Sequence, residues 1–379
     1  MHATIKSEKG MALLMALGAI VIIGVLVGGV VFVSTQDYRI GGNTVRQTRA
    51  AAAAELGLNR VPQDWNLANN QRPVGNPLVM SYTAPRGASA RVTITRVSGV
   101  SFWVVSEGTA GALGSQATAR RRYGTFFKLD MPNMNFMGAI TTQGNTTVNG
   151  NVTVNGNDAA PANWSGCGPT APGVAGAAIS PTTTATINGS VSLSGSPPVL
   201  TTPVAGDTNT YFNYGDATYQ SLAATATLTY TGGTTVLNGV GPLVVGGVCQ
   251  ASLNPPNWGE PTHASPAGAC DSYFPIIHVV GDLKVTTGRG QGILLVDGDL
   301  TIAGNFSFDG AVIVRGGLKM TGTGNKVSGA LMSASVNVDD NVALAGNTSI
   351  LYSSCALISA LSASAYPKQA KERGWVDVY

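Results

Sequence analysis

The first sixty residues limit what this chain can fold into more than anything that follows them. From Met11 to Val33 run 23 residues without a charged or strongly polar side chain. As a helix rising about 1.5 Å per residue, that run spans roughly 35 Å, enough to cross the hydrocarbon core of a bilayer. Lys6 and Lys9 precede it. A charged but helix-compatible stretch follows, with five alanines at Ala50–Ala54. Alanine is the strongest helix former and Pro62 ends the pattern, so a helix is expected over residues 11–60, with a bend allowed at Gly41-Gly42. A cleaved secretory signal has a shorter apolar core, about 7–15 residues, with its cut site after it. Here the expected cut precedes the apolar run, between Gly10 and Met11. Gly24, Gly28 and Gly29 give a small-xxx-small spacing that suits either helix packing or a flexible section.

The 379 residues leave room for two or three domains. Only 11% are charged, and 49 are glycine. A surface covered by amides and hydroxyls in place of charges is common in exported, turn-rich β proteins. A formal net charge of +3 gives no ground for a polyanion partner, and nucleic acid is not expected. The four cysteines, Cys167, Cys249, Cys270 and Cys355, all follow the apolar run, which favours disulfides in an exported region. Four cysteines allow three pairings. We favour Cys249 with Cys270, which bracket one Pro/Asn-rich loop, and then Cys167 with Cys355. No CxxC or Cys/His spacing suggests zinc, and no cofactor is expected.

Residues 63–77 read as a loop. Three strand-like runs follow, Ala90–Val97, Ser101–Glu107 and Ala117–Leu129, with Ser98-Gly99 turning between the first two. The sheet they form is expected to pack on the helix. Arg120, Arg121 and Arg122 in the third run read as a charged edge opposing strand aggregation, in preference to a contact with DNA or an acidic surface.

From Met131 a short phrase recurs, turn residues and then apolar, polar, apolar. It stands at Gly150–Val154 and Gly189–Leu193. It is clearest at Gly281-Asp282-Leu283-Lys284-Val285, Gly298-Asp299-Leu300-Thr301-Ile302 and Gly316-Gly317-Leu318-Lys319-Met320, with a looser copy at Asp340–Leu344. The clear copies start 17 and 18 residues apart. That period fits one coil of a parallel β-helix; an antiparallel sandwich is the alternative. Gly292–Val296 and Ala311–Val314 would be its driest strands. Residues 195–275 interrupt the rhythm. Their aromatics Tyr211, Phe212, Tyr214, Tyr219 and Tyr230 suit either a recognition surface or local packing. Ile358–Arg373 reads as a helical cap for the last coil, with Trp375 packed on it.

Asp282, Asp297, Asp299 and Asp309, near the coil turns, are the candidate carboxylates for glycoside cleavage. Gly-Asp and Asp-Gly are also ordinary turn residues, and the three histidines, His2, His263 and His278, complete no hydrolytic or phosphate-binding motif. Asp339-Asp340-Asn341 lacks the dense pattern of calcium-binding β-rolls. Neither catalysis nor a metal is expected.

The short hydrophilic leader ending at Gly10, followed by the apolar helix, resembles a type IV prepilin signal. The resemblance implies cutting after Gly10 by the prepilin peptidase and methylation of the new amino terminus at Met11. Tyr38-Arg39-Ile40-Gly41-Gly42-Asn43, Arg46-Gln47 and the alanine run through Glu55-Leu56-Gly57-Leu58 resemble the amino-terminal domain of PilX-type minor pilins, over about residues 6–60. Leu56 departs from the family's usual Ala. Major pilins carry Glu at the fifth mature position, where this chain has Met15, and that loss implies a minor subunit at a filament tip. A buried acid that pairs with a neighbour's amine is lost there, which disfavours repeated stacking.

The expected class is therefore α+β: a long N-terminal pilin-like helix, a small antiparallel sheet, and a C-terminal right-handed-type parallel β-helix-like repeat domain. The expected division is a leader at 1–10, an assembly helix at 11–60, a small antiparallel domain at 61–130 and the repeat domain at 131–379, with a loop insertion at 195–275 and a cap at 356–379. Implied partners are other pilins, the prepilin peptidase, the inner membrane before assembly and a surface ligand. The implied role is priming of pilus assembly and display of an adhesive or partner-binding head at the cell surface. The alternatives are a tip pseudopilin of a type II secretion system and a membrane-tethered carbohydrate-active enzyme.

Overall fold

The computed structural model describes residues 9–66, 69–70, 72–111, 118–164, 167, 171–263, 268–334, 342–370 and 376–378, without the side chains of 9–12, 187 and 342–343. Most of the expected leader, Asp339–Asn341 and Trp375 lie outside the described residues.

Helix α1 runs unbroken over Lys9–Arg60, 52 residues, so Gly41-Gly42 does not interrupt it. At about 1.5 Å per residue it is roughly 78 Å long. Its carboxy-terminal third docks on an antiparallel sheet made of β1 (Pro77–Thr83), β2 (Ala88–Arg96), β3 (Ser101–Gly111) and β4 (Thr118–Asp130), paired in that order. The strand β1 was missed in the sequence, where its alternation is masked by Pro77 and Met80. Strands Tyr366–Gln369 and Val376–Asp377 return from the far end of the chain to pair with β4.

The alternation of β3 buries Phe102, Val104, Ser106 and Ala110 against α1. Contact there is close because the facing residues are small. A Cβ on Gly108 would lie 1.9 Å from the Ala50 carbonyl oxygen, and one on Gly57 would lie 2.3 Å from Ser106 Oγ. Ala50 and Ala53 pack with Ala84, Ala88 and Ala110. One to two turns further on, Leu58, Val61 and Trp65 fill the wider space beside Phe102, Phe127 and Leu129. Trp65 meets Phe102 edge-on at 5.1 Å. Each such fully buried large side chain contributes about 1.5–3 kcal/mol.

The second part is a 14-stranded sheet in which every strand pairing is parallel, so the antiparallel sandwich is excluded. Its strands lie side by side in register, each pair being termed a rung. Leu283, Leu300 and Leu318, one from each clear copy of the phrase, stand in register. So do Gly292, Gly310 and Gly329, where the strand path turns with φ of 112°, 138° and 140°. A Cβ on Gly310 would meet the Gly292 carbonyl oxygen at 2.0 Å, so side chains are excluded by both backbone angle and spacing. Ile293–Val296 and Ala311–Val314 are at most 1% exposed, as is Ala330–Ser333 of the neighbouring strand.

The stacking order is not the chain order. Leu228–Leu237 lies at one end, followed by Ile276–Val296, Leu300–Val314, then Leu318–Ser333. Next come Val342–Tyr352 with Gly138–Thr142. Thr146–Asn155 with Ala175–Ile179 follow, and Ala185–Thr201 form the far edge. The expected insertion at 195–275 is thus two excursions, because Val199–Thr201 and Leu228–Leu237 belong to the stack. The helix Ser354–Ala363 packs on the flank of the rungs at 276–333, not across an end of the stack, which corrects the expected cap. It is covered because its own residues Ala356, Leu357, Ala360 and Leu361 are apolar and buried there.

A buried amide ties the two parts together. Asn70 accepts from Trp65 Nε1 at 2.7 Å and donates to the carbonyls of Ser362, Ala363 and Ala365 at 2.7–3.1 Å. That is the end of the flank helix, where free carbonyls need partners.

Candidate functional site

The feature that most needs an explanation is the outer half of α1. From Leu13 to Val33 its large apolar side chains are 57–73% exposed, and none of the other described residues covers them. It is the one helix among the described residues long and apolar enough to cross a membrane. In water that surface is costly at every residue, and a bilayer or other apolar helices would cover it. Met15 lies within it, 70% exposed. Gly18, Gly24, Gly28 and Gly29 have open space around them, so close helix approach is sterically free there. Gly10 and Met11 fall in the first turns of α1, and the side chain of Met11 is not described.

The four cysteines form two disulfides, Cys249–Cys270 and Cys167–Cys355, with Cα separations of 5.1 and 5.9 Å. The second links the loop after Gly156 to the flank helix. Asp158 reinforces the link, accepting from Ser354 N at 2.8 Å and Ser354 Oγ at 2.6 Å at that helix's amino terminus.

The aspartates weighed as catalytic groups are each engaged in the stack. Asp282 Oδ1 accepts from Asp299 N at 2.9 Å, and Asp299 Oδ1 accepts from Gly317 N at 2.8 Å. Each carboxylate satisfies a backbone donor of the next rung, which is why Asp follows Gly in the repeated phrase. Asp297 pairs with His278 at 3.1 Å and Arg315 at 3.6 Å. Asp309 is buried on the outer face, and burial pushes its carboxyl up to about 7, with Lys326 and Ser328 opposing.

Two clusters were not read from the sequence. Arg315 lies over the rings of Phe212 and Tyr219, 5.4 and 5.6 Å from their centroids, so the His278–Asp297–Arg315 row fastens the aromatic excursion. Its members stand 19 and 18 residues apart, close to the repeat period, which is the signal that could have found it. Tyr211, Tyr214 and Tyr219 are at most 1% exposed, which assigns that excursion to packing. Burial and the nearby Asp297 both raise the Tyr219 phenol. The second cluster is Glu260, fully buried and held by both Arg289 guanidinium donors at 2.7 and 2.8 Å. Burial alone would raise Glu260; hydrogen bonds from Arg289 and Thr262 hold it below its ordinary value. His263 stacks on Trp164 at 5.3 Å.

A cleft of about 550 Å³ opens where the two parts meet, lined by Asp130, Asn133, Asp216, Tyr366 and Lys368 among others. Lys368 bridges Asp130 and Asp216, which raises its ammonium. Among the described residues no group of three or more His, Cys, Asp or Glu is placed to hold a metal ion.

No protein-family model matches the chain, and no curated protein is similar to it. Among solved structures it is similar to the competence-associated pilin ComZ from Thermus thermophilus, at 12% identity over 88% of this chain and 97% of that one. The TM-score of that match is 0.23, too low to establish a common fold.

Proposed function

We propose that the chain is a minor pilin of a type IV pilus. The observation that carries this reading is the division of α1: an uncovered apolar half, continuous with a half that docks a β-rich head. A rod of this kind is seated in a bilayer first and among similar rods later, with no change in its own fold. The leader ending at Gly10, and the PilX-like residues from Tyr38 to Leu58, supply the processing route. The prepilin peptidase cuts after Gly10, and Met11 becomes the methylated terminus. Met15 leaves no acid to pair with a neighbour's amine, which suits a subunit at the tip that primes assembly. The head faces the periplasm and then the cell surface.

The parallel rungs are read as a β-helix-like head for adhesion or partner binding, supported by their 17–18-residue period and in-register glycines. The chain is read as non-enzymatic, because its candidate carboxylates are spent on backbone donors and ion pairs within the stack. The test is mass spectrometry of the native mature terminus. A methylated Met11 is expected. A chain that still carries Met1–Gly10, or is trimmed beyond Val33, overturns the reading.

A further inference from the structure

Charge is divided unevenly along the chain. The first 130 residues hold 14 of the 22 Lys and Arg against six acids, and the rest hold eight bases against 13 acids. No Lys or Arg occurs from Met131 to Leu283.

The fold gathers seven of the arginines at one level of α1. Gly108 touches α1 at Ala50, and its register partner on β4 is Arg121. Arg91, Glu107 and Arg122 stand opposite one another across β2, β3 and β4. Arg120 faces Thr109, and Arg86 occupies the turn between β1 and β2 at the same end of the sheet. Arg46 and Arg49 lie on α1 beside them, and Arg121 donates to Gln47 at 3.3 Å. Glu107, paired with Arg120 and Arg122, and Asp377, opposite Tyr123, are the acids beside these seven arginines on the sheet, so the surface stays positive. Arg86, Arg91, Arg120 and Arg122 are exposed. A recess of about 350 Å³ beside them is lined by Arg120, Arg121, Arg122, Asp377 and Val378.

The belt's direction is set by the packing. Ala50 and Ala53 meet the sheet at this end, while Leu58, Val61 and Trp65 meet it at the other, so the belt faces back along α1 toward the apolar run. The sequence reading of Arg120–Arg122 as a protective edge fits only part of this. The Arg122 carbonyl is already taken by Val378 N at 3.0 Å, and the other arginines sit on different elements.

We infer that this arginine collar docks on the anionic headgroups of the bilayer that α1 crosses, so that the head leans on the membrane before assembly. The inference rests on the membrane-spanning reading of α1. Upright, the helix would hold the collar roughly 21 Å beyond Val33, clear of a headgroup layer about 5–7 Å deep. Membrane helices tilt by up to about 40°. The sheet lies on one side of α1, so a tilt toward that side lowers the collar onto the headgroups. Guanidinium groups pair with phosphate through two parallel hydrogen bonds. The distal rungs, which carry no base from Met131 to Leu283, are left facing away.

The test uses the full chain in nanodiscs of phosphatidylcholine, alone or mixed with phosphatidylglycerol. Phenylglyoxal labelling is read arginine by arginine by mass spectrometry. Arg60, exposed at the far end of α1, is the internal reference. In the anionic discs, labelling of Arg86, Arg91 and Arg120–Arg122 should fall about fivefold relative to Arg60, the factor for one basic residue at an anionic surface. High salt should restore it. In the triple variant R120Q/R121Q/R122Q the protection of Arg86 and Arg91 should be lost. Equal labelling in both bilayers, or protection that survives the triple variant, overturns the collar. Protection by soluble polyglutamate but not by the anionic bilayer does the same, and reassigns the surface to an acidic protein. Failure of the chain to enter either disc overturns the membrane-spanning reading instead.

Discussion

Replacing Gly108 with alanine should loosen the seating of α1 on its sheet. The new methyl carbon would stand 1.9 Å from the Ala50 carbonyl oxygen and 2.5 Å from Ala54 N, both helix backbone. Neither can rotate away, so helix and sheet must separate by about 1.5 Å to reach ordinary contact distance. A gap of even 0.5–1 Å forfeits about a quarter to a half of each dispersion contact along the interface. That loss falls on Ala50, Ala53, Ala54 and Leu58, all buried there. The expected cost is about 2–3 kcal/mol, the upper part of the range for overpacking. For a head of this size that is a fall in Tm of roughly 5–10 °C. Thermal unfolding of the detergent-solubilised chain, followed by circular dichroism, measures it. Gly111→Ala is the control on the same strand, since its nearest neighbour would be Thr118 Cγ2 at 3.9 Å. If Gly108→Ala melts with Gly111→Ala, the close approach is not what seats the helix, and the reasoning fails.

Asp309→Asn should stabilise the protein at about pH 8 and leave it unchanged near pH 3. A carboxyl raised to about 7 when folded, against roughly 3.9 unfolded, is fully tolerated below the lower value. It loses stability as pH rises through the interval, by at most about 4 kcal/mol. Unfolding midpoints across that range that run parallel for the two proteins would rule this out. Arg289→Ala should cost about 3–5 kcal/mol by leaving the fully buried Glu260 carboxylate unpaired. Glu260→Gln should cost less, because the Arg289 side chain is 41% exposed and reaches water. Urea titrations giving the reverse order would contradict the assignment of burial. The chain-entropy argument ranks the disulfides: removing Cys167–Cys355, with a separation of 188, should cost up to about 5 kcal/mol. Removing Cys249–Cys270, with a separation of 21, should cost up to about 3. Equal losses in the two paired-alanine variants would remove loop length as the cause.

The helix, the hairpins and the rung phrase could be read from sequence because each rests on a local pattern. An unbroken apolar run, a period-2 alternation at Val92–Ile94 and a repeated Gly-Asp-Leu need no distant partner to be recognised. What could not be read is set by contacts between remote residues. The return of Tyr366–Gln369 to β4 carries no local mark, since Pro367 argues against a strand and its pairing lies on an edge. The helical cap expected over Ile358–Arg373 is displaced: the helix runs over Ser354–Ala363 and Tyr366–Gln369 is a strand, and the helix's apolar residues fit a stack's end as well as its flank. Only the caps supplied by Asp158 and Asn70 decide between them. The arginine collar draws on α1, a turn and two strands, so only the triplet Arg120–Arg122 was seen, and it read as a local edge.

The order of the rungs has a consequence for how the protein is made. Asn347–Tyr352, near the chain's end, pairs on one side with Thr323–Ser333 and on the other with Asn151–Asn155. It is a keystone: the strands built from residues 138–201 emerge early and pair among themselves, but they join the rest of the sheet only through residues 331–333, 342–344 and 347–351. A nascent chain stalled anywhere before that point presents raw strand edges to its surroundings. Truncation before residue 331 should therefore leave the sheet in two unjoined blocks, and premature stop codons late in the reading frame should still be damaging.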